Sequence, residues 1–262
     1  MTAREPVLAG LAELARTLGD ERAVPDVAWV RHLTGASADA VVRVLEELPA
    51  HAEMEAEIRR TLRGGGRDFY AAINAPFELY SLVRLARPAH IVEIGVSSGI
   101  SSTHFLLGLR ENGTGTLHSI DLPTPQRAQE LASDESPVAL PPGRSSGWAV
   151  PETLRAGWEL RLGPSQTMLP HLLDGLPRVD LFLHDDLHTP EHLAWELGTL
   201  RPRLRPGSIV LADNTEWTGT SFPEFAKSLG ATVHTKRGTD LVGLRVPEPP
   251  APTRRRAAPT RR

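Results

Sequence analysis

The sequence predicts an α/β fold built on a doubly wound, mostly parallel sheet. Three observations predict it. Short apolar runs at Ile91–Ile94, Val179–Leu183 and Gly207–Ala212 each stop at a polar or glycine-rich cluster, as buried parallel strands do. Between the last two runs, Leu193, Leu197, Leu200 and Leu204 recur at three- and four-residue steps, which predicts a helix from Pro190 to Leu204. Strand, helix and strand in that order form a parallel crossover unit. Both polar clusters then fall at strand carboxyl ends, where open sheets bind ligands.

Taken in order, the N-terminal third reads as helices over Glu5–Leu18, Asp26–Leu33 and Ser37–Leu62, with Pro25 and Ser37 as starts and Gly64-Gly65-Gly66 as a stop. Their apolar periodicity predicts burial, against the sheet or against a second subunit. They therefore form either a cap over an acceptor site or a structural, dimerising element. One more helix is expected over Phe69–Arg87. The strand Ile91–Ile94 leads into Gly95-Val96-Ser97-Ser98-Gly99 and a helix from Ser101 to Leu109. Glycines at such a turn let a ligand approach the backbone. A second strand, Thr116–Ile120, ends in Asp121, about twenty residues beyond the glycine turn, where an acid hydrogen-bonds the ribose of a nucleotide-like cofactor. The turn lacks the Gly-x-Gly-x-x-Gly spacing that cradles a pyrophosphate, which favours a cofactor without phosphates. Pro141–Pro151 is too rich in Pro, Gly and Ser for a helix. It reads as a mobile lid carrying Arg144 and Trp148, or as a surface loop with Trp148 tucked into the core.

The polar clusters carry the chemistry. Asp185-Asp186-Leu187-His188 follows one strand and Asp213-Asn214 follows the next. Oxygen donors on adjacent strand ends suit a hard divalent cation, with His188 beside it as a base. An imidazole ordinarily titrates near 6.5 and accepts a proton at neutral pH. Asp186 or Thr189 is expected to cap the following helix, His184 to be structural, and His192 to face water. Trp217, close behind Asn214, is the better candidate for a wall of the site.

These motifs together resemble a class I S-adenosylmethionine-dependent methyltransferase of the cation-dependent O-methyltransferase type. The resemblance runs from Phe77 to Val246 on Ile91–Gly99, Asp121, the Asp180–His188 stretch and Gly207–Thr215. It implies a seven-stranded sheet with a closing antiparallel hairpin, here Ala231–His234 and Leu241–Val246. It also implies cofactor binding by Glu93, Gly95, Gly99, Asp121 and Asp185, with Gly163 and Ser165 bordering the adenine. Mg²⁺ or another divalent cation would be held by Asp185, Asp213 and Asn214. Catechol and caffeoyl-coenzyme A methyltransferases carry a lysine three residues after the first metal aspartate, where this chain has His188. Macrolide sugar O-methyltransferases place a histidine there as base and are more similar. The implied reaction is methyl transfer to a hydroxyl of a small polar metabolite, a sugar or another secondary metabolite. The alternatives are a nucleotide-dependent oxidoreductase and a cofactor-binding protein without catalysis on the same fold.

Composition bounds the rest. A chain of 262 residues with 40% hydrophobic content buries one substantial core and an appendage. The expected division is a helical cap at 1–66, the catalytic domain at 67–246 and a disordered Pro/Arg-rich tail at 247–262. The absence of cysteine excludes disulfides, thiolate zinc sites and cysteine nucleophiles. A net charge of −3 gives no general pull toward nucleic acid. No apolar run approaches the roughly 18 residues of a membrane span, and no charged-then-apolar leader opens the chain. A cytoplasmic protein with a small-molecule substrate is expected, with homodimerisation through the N-terminal helices left open.

Overall fold

Seven strands form a single sheet in the order β3-β2-β1-β4-β5-β7-β6 in a computed structural model of the chain. The structure describes residues 25–65, 75–122, 140 and 143–249, with the side chains of 63–65 excepted. The expected helix at Glu5–Leu18, the stretch Phe69–Asn74 and most of the tail lie outside the described residues. The strands are β1 (His90–Ile94), β2 (Thr116–Asp121), β3 (Trp158–Leu162), β4 (Leu181–His184), β5 (Ile209–Ala212), β6 (His234–Thr235) and β7 (Val242–Arg245). The first five are parallel, and β7 runs antiparallel to both β5 and β6. The closing hairpin is thus present, though β6 holds two residues rather than four.

Side-chain alternation divides the core into two layers. Ile91, Leu117, Leu181, Leu183, Ile209 and Leu211 face one side. There they pack on α1 (Val27–Thr34), α2 (Ala38–Leu45), α4 (Pro76–Ala86) and α5 (Ile100–Asn112). Val92, Ile94, Ile120, Phe182, Val210 and Ala212 face the other. Their partners are α6 (Ser165–Asp174), α7 (Pro190–Leu200) and α8 (Ser221–Leu229). With both faces covered, the central strands β4 and β5 are apolar at nearly every position, which is why they were legible as continuous runs.

The expected helix over Ser37–Leu62 is broken. It consists of α2, a 3₁₀ turn at Leu48–His51 and α3 (Ala52–Gly65). Pro49 is the cause, since it has no N–H to donate back along a continuous helix. The helix expected to end at Leu204 instead stops at Leu200 and tightens into a 3₁₀ turn around Pro202.

The N-terminal helices belong to the same hydrophobic core as α4 and the sheet, through Trp29, Leu33, Val41 and Leu45. Polar contacts fix the docking. Asp26 caps α1 by accepting from the Trp29 N–H at 3.1 Å, and its own N–H donates to Glu78 at 2.8 Å. The indole of Trp29 donates to the His234 carbonyl at 2.8 Å. Glu78 and Lys236, both fully buried, lie 3.4 Å apart. Among the described residues no helix is long and apolar enough to cross a membrane.

Candidate active site

The strand order reverses between β1 and β4, so a crevice opens at their carboxyl ends. On its β1 side lies the glycine turn. Gly95 and Gly99 have φ of 90° and 91°, in the left-handed region that disfavours other residues. A Cβ at Gly95 would strike the carbonyl oxygen of Asp185, and one at Gly99 would strike Val150. The missing Cβ atoms therefore make room first for the protein itself: for the exit of β4 and for the segment 147–150. That segment is pinned by the Gly147 N–H to the Ser97 carbonyl at 2.8 Å and the Ala149 N–H to the Ser98 carbonyl at 3.0 Å. Trp148 is buried beside Ile58, Leu62 and Ile100, with the Arg144 guanidinium 5.3 Å over its ring. The loop with a tucked tryptophan is the arrangement found.

Glu93, wholly buried on β1, accepts hydrogen bonds from the hydroxyls of Ser101 at 2.6 Å, Ser102 at 2.7 Å and Ser119 at 2.6 Å. Burial raises its pKa to about 7 against the pull of those hydroxyls, with a further push from Asp185. Its carboxylate ties β1, β2 and α5 together beneath the turn. The three serines were not singled out in the sequence, because Ser101 and Ser102 at the start of α5 and Ser119 on β2 are brought together only by the fold around Glu93. Asp121, at the end of β2, reaches back over the turn and accepts the Val96 N–H at 3.1 Å. The Gly163 N–H donates to the Asp121 carbonyl at 2.9 Å, which seats the β3 exit beside it.

On the β4 side, pairing continues past the strands. The Asp185 N–H donates to the Ile94 carbonyl at 2.8 Å, and the Asp213 N–H to the His184 carbonyl at 3.0 Å. With His184 in register with Ala212, Asp185 and Asp213 occupy equivalent positions on adjacent strand exits. Burial raises the Asp213 pKa to about 7, and the negative charges of Asp185 and Asp240 push in the same direction. Asn214 follows with φ of 52°, a left-handed conformation that asparagine tolerates better than most residues. His188 Nε2 lies 3.6 Å from an Asp185 carboxylate oxygen. The exposed ring of Trp217 meets the His188 ring edge to face at 6.0 Å.

Ser165 and His192 meet beside Asp186. The Ser165 hydroxyl, at the first turn of α6, donates to Asp186 at 3.1 Å. His192 is buried rather than facing water, and this corrects the expectation. Its Nε2 lies 3.2 Å from both Asp186 and Glu196. The reason is that α7 is flanked by α6 and α8, so the face beside its leucine stripe is covered too. His184, Asp186 and Glu196 bring potential ligand atoms within 4.8 Å of one another in this cluster behind β4. Thr189, the other capping candidate, accepts from the His192 N–H at 3.3 Å and caps α7.

Residues 92–215 match a family model described as a methyltransferase domain. The match runs from β1 to just past β5. The strand order, with β7 alone antiparallel to its neighbours, fits that likeness. Three solved structures share the architecture. One is the O-methyltransferase from Bacillus cereus in complex with SAH, 15% identical over 74% of this chain and 90% of that chain, with a TM-score of 0.52. Another is TomG from Streptomyces achromogenes, an O-methyltransferase of tomaymycin synthesis in complex with SAM, 19% identical over 74% and 89%, with a TM-score of 0.50. The third is cofactor-bound Rv0187 from MTB, 16% identical over 77% and 91%, with a TM-score of 0.51. At these identities the likeness is one of fold. No curated protein matches the chain.

Proposed function

We propose that this methyltransferase domain uses S-adenosylmethionine to methylate a hydroxyl of a small polar metabolite, a sugar or another product of secondary metabolism, with a divalent cation at Asp185, Asp213 and Asn214 and with His188 as general base. The observation that carries the reading is the convergence of Asp185 and Asp213 on adjacent strand exits with His188 3.6 Å from Asp185.

Both absent groups fit the residues present. At the glycine turn, Ser97 has φ of 48°, and its buried hydroxyl has no hydrogen-bond partner among the described residues. A strained turn with an orphaned hydroxyl suits a polar ligand end. Asp121, at the end of the neighbouring strand, supplies an acid of the kind that binds ribose hydroxyls. The donor set at the β4 and β5 exits is two carboxylates and an amide oxygen, the ligands a hard cation prefers. Burial raises the Asp213 pKa most, and the repulsion from Asp185 and Asp240 that adds to it is an imbalance a dication would relieve.

When bound, these groups supply an electrophilic methyl and a positive charge that acidifies an acceptor hydroxyl. The rest is done by the chain. Asp185 borders both halves of the crevice, because its carbonyl fills the space at Gly95 while its carboxylate lies beside His188. That carboxylate, 3.6 Å from Nε2, orients the His188 imidazole at the edge of the crevice. Trp217 walls His188 from one side and leaves an aromatic face exposed for the acceptor. The absence of a pyrophosphate-binding glycine pattern weighs against an oxidoreductase.

His188→Gln tests the base. Turnover, followed as S-adenosylhomocysteine release with a panel of hydroxylated compounds, is expected to fall about 10²–10⁴-fold near neutral pH and to recover partly at high pH. A variant whose pH profile matches the parent's would remove His188 from the reaction.

A further inference from the structure

We propose that His184, Asp186, His192 and Glu196 form a second metal site, for one divalent transition-metal ion of the zinc class, distinct from the oxygen-donor set at Asp185, Asp213 and Asn214. The residues come from two elements. His184 is the last residue of β4, Asp186 follows in the loop, and His192 and Glu196 lie one turn apart on α7 and so share a face. Each imidazole lies close to coordination spacing from both carboxylates, His184 on one oxygen of each and His192 on the other. His184 Nδ1 lies 3.4 Å from Asp186 Oδ1, and His192 Nε2 lies 3.2 Å from Asp186 Oδ2 and 3.2 Å from Glu196 Oε1. Charge-assisted hydrogen bonds usually close to about 2.7–2.9 Å. The edge of a tetrahedron with bonds of about 2.0 Å is about 3.3 Å. The shortest contact is His184 Nδ1 to Glu196 Oε2 at 2.8 Å, and the Ser165 hydroxyl lies 3.1 Å from Asp186 Oδ2 and 3.2 Å from His192 Nε2.

One further observation points to a ligand. Asp186 Oδ1 is buried inside the cluster and accepts no hydrogen bond among the described residues. Two imidazoles with two carboxylates favour zinc, cobalt or nickel over magnesium. Charge is conserved as well. Two carboxylates are neutralised either by two protonated imidazoles or by one dication with neutral imidazoles.

The ion would have a positioning role. It would bind the exit of β4 to α7 at both ends of the loop 185–189, which carries Asp185 and His188, and the His184 ring already meets the His188 ring edge to face at 5.5 Å. This inference does not depend on the cation proposed at Asp213.

The test is a Co²⁺ titration of the full chain after EDTA treatment and its removal, read by the visible bands of tetrahedral cobalt. One equivalent is expected to bind, to survive excess Mg²⁺, and to be retained in Asp213→Asn. Glu196→Gln and His192→Gln, checked for folding by circular dichroism, are expected to weaken binding at least tenfold. Absence of the bands in the parent, or their loss in Asp213→Asn with retention in both cluster variants, would overturn the site. If the cluster variants do not fold, the Asp213→Asn chain still decides. Pulsed electron paramagnetic resonance of bound Cu²⁺ is expected to resolve coordinated imidazole nitrogen, and a spectrum without it refutes the proposal.

Discussion

Two acids at the carboxyl edge of the same sheet have pKa values raised to about 7, yet their surroundings assign them opposite tasks. Glu93 is buried among three donating hydroxyls, so its oxygens are occupied by the fold itself. Asp213 is partly buried, and repulsion from Asp185 and Asp240 adds to the cost of its charge. The comparison teaches that a perturbed acid marks a ligand site only when what perturbs it is left uncompensated. Hydroxyls around Glu93 close a structural joint beneath the cofactor turn. Carboxylates around Asp213 leave a charge for something else to balance.

Substitution can separate the two. The largest effect is expected at Asp213→Asn, where turnover should fall at least about a hundredfold, since a cation's charge is worth several kcal/mol to such a reaction. S-adenosylhomocysteine affinity, measured by titration calorimetry, should stay nearly unchanged. Equal loss of both would place Asp213 with Glu93 as a structural acid.

Glu93 should show itself in stability. Its folded-state pKa is raised from 4.5 to about 7, so between those values the folded chain holds a proton that the unfolded chain releases. The stabilisation is complete below 4.5 and is lost as the pH rises through 7, a change of about 3 kcal/mol. Urea unfolding at pH 5 and pH 7.5 should reveal this fall in the parent together with the one from Asp213, and Glu93→Gln should reduce it. An unchanged slope in the variant would mean that Glu93 does not titrate in this window.

The smallest effect is expected far from the crevice. Asp26→Ala removes the cap of α1 and should cost about 1 kcal/mol, or roughly 2–4 °C in Tm, without a change in turnover. A fall in turnover would tie the N-terminal helices to the acceptor site and blur the division between structural and functional acids.

What the sequence made legible follows the same division. Strands β4 and β5 and most of β1 could be read because burial on both faces leaves them apolar, and the positions of Asp185 and Asp213 followed from the ends of β4 and β5. Pairing register then brought those two acids together. Pro49 was visible but was read through as continuous helix. The burial of His192 depends on α6 and α8 packing on both flanks of α7, a tertiary fact that its own periodicity does not encode. Glycine in the turn was legible as a backbone requirement, whereas its neighbours, the Asp185 carbonyl and Val150, come from segments dozens of residues away. The buried Glu78–Lys236 pair was likewise hidden, because neither residue type advertises burial.

The most direct test of the central claim is Mn²⁺ binding to the zinc-saturated full chain in the presence of S-adenosylhomocysteine, followed by electron paramagnetic resonance. One Mn²⁺ per chain is expected in the parent and none in Asp213→Asn at the same concentrations. Equal binding in both chains, or no binding in the parent, would contradict a hard-cation site at the exits of β4 and β5.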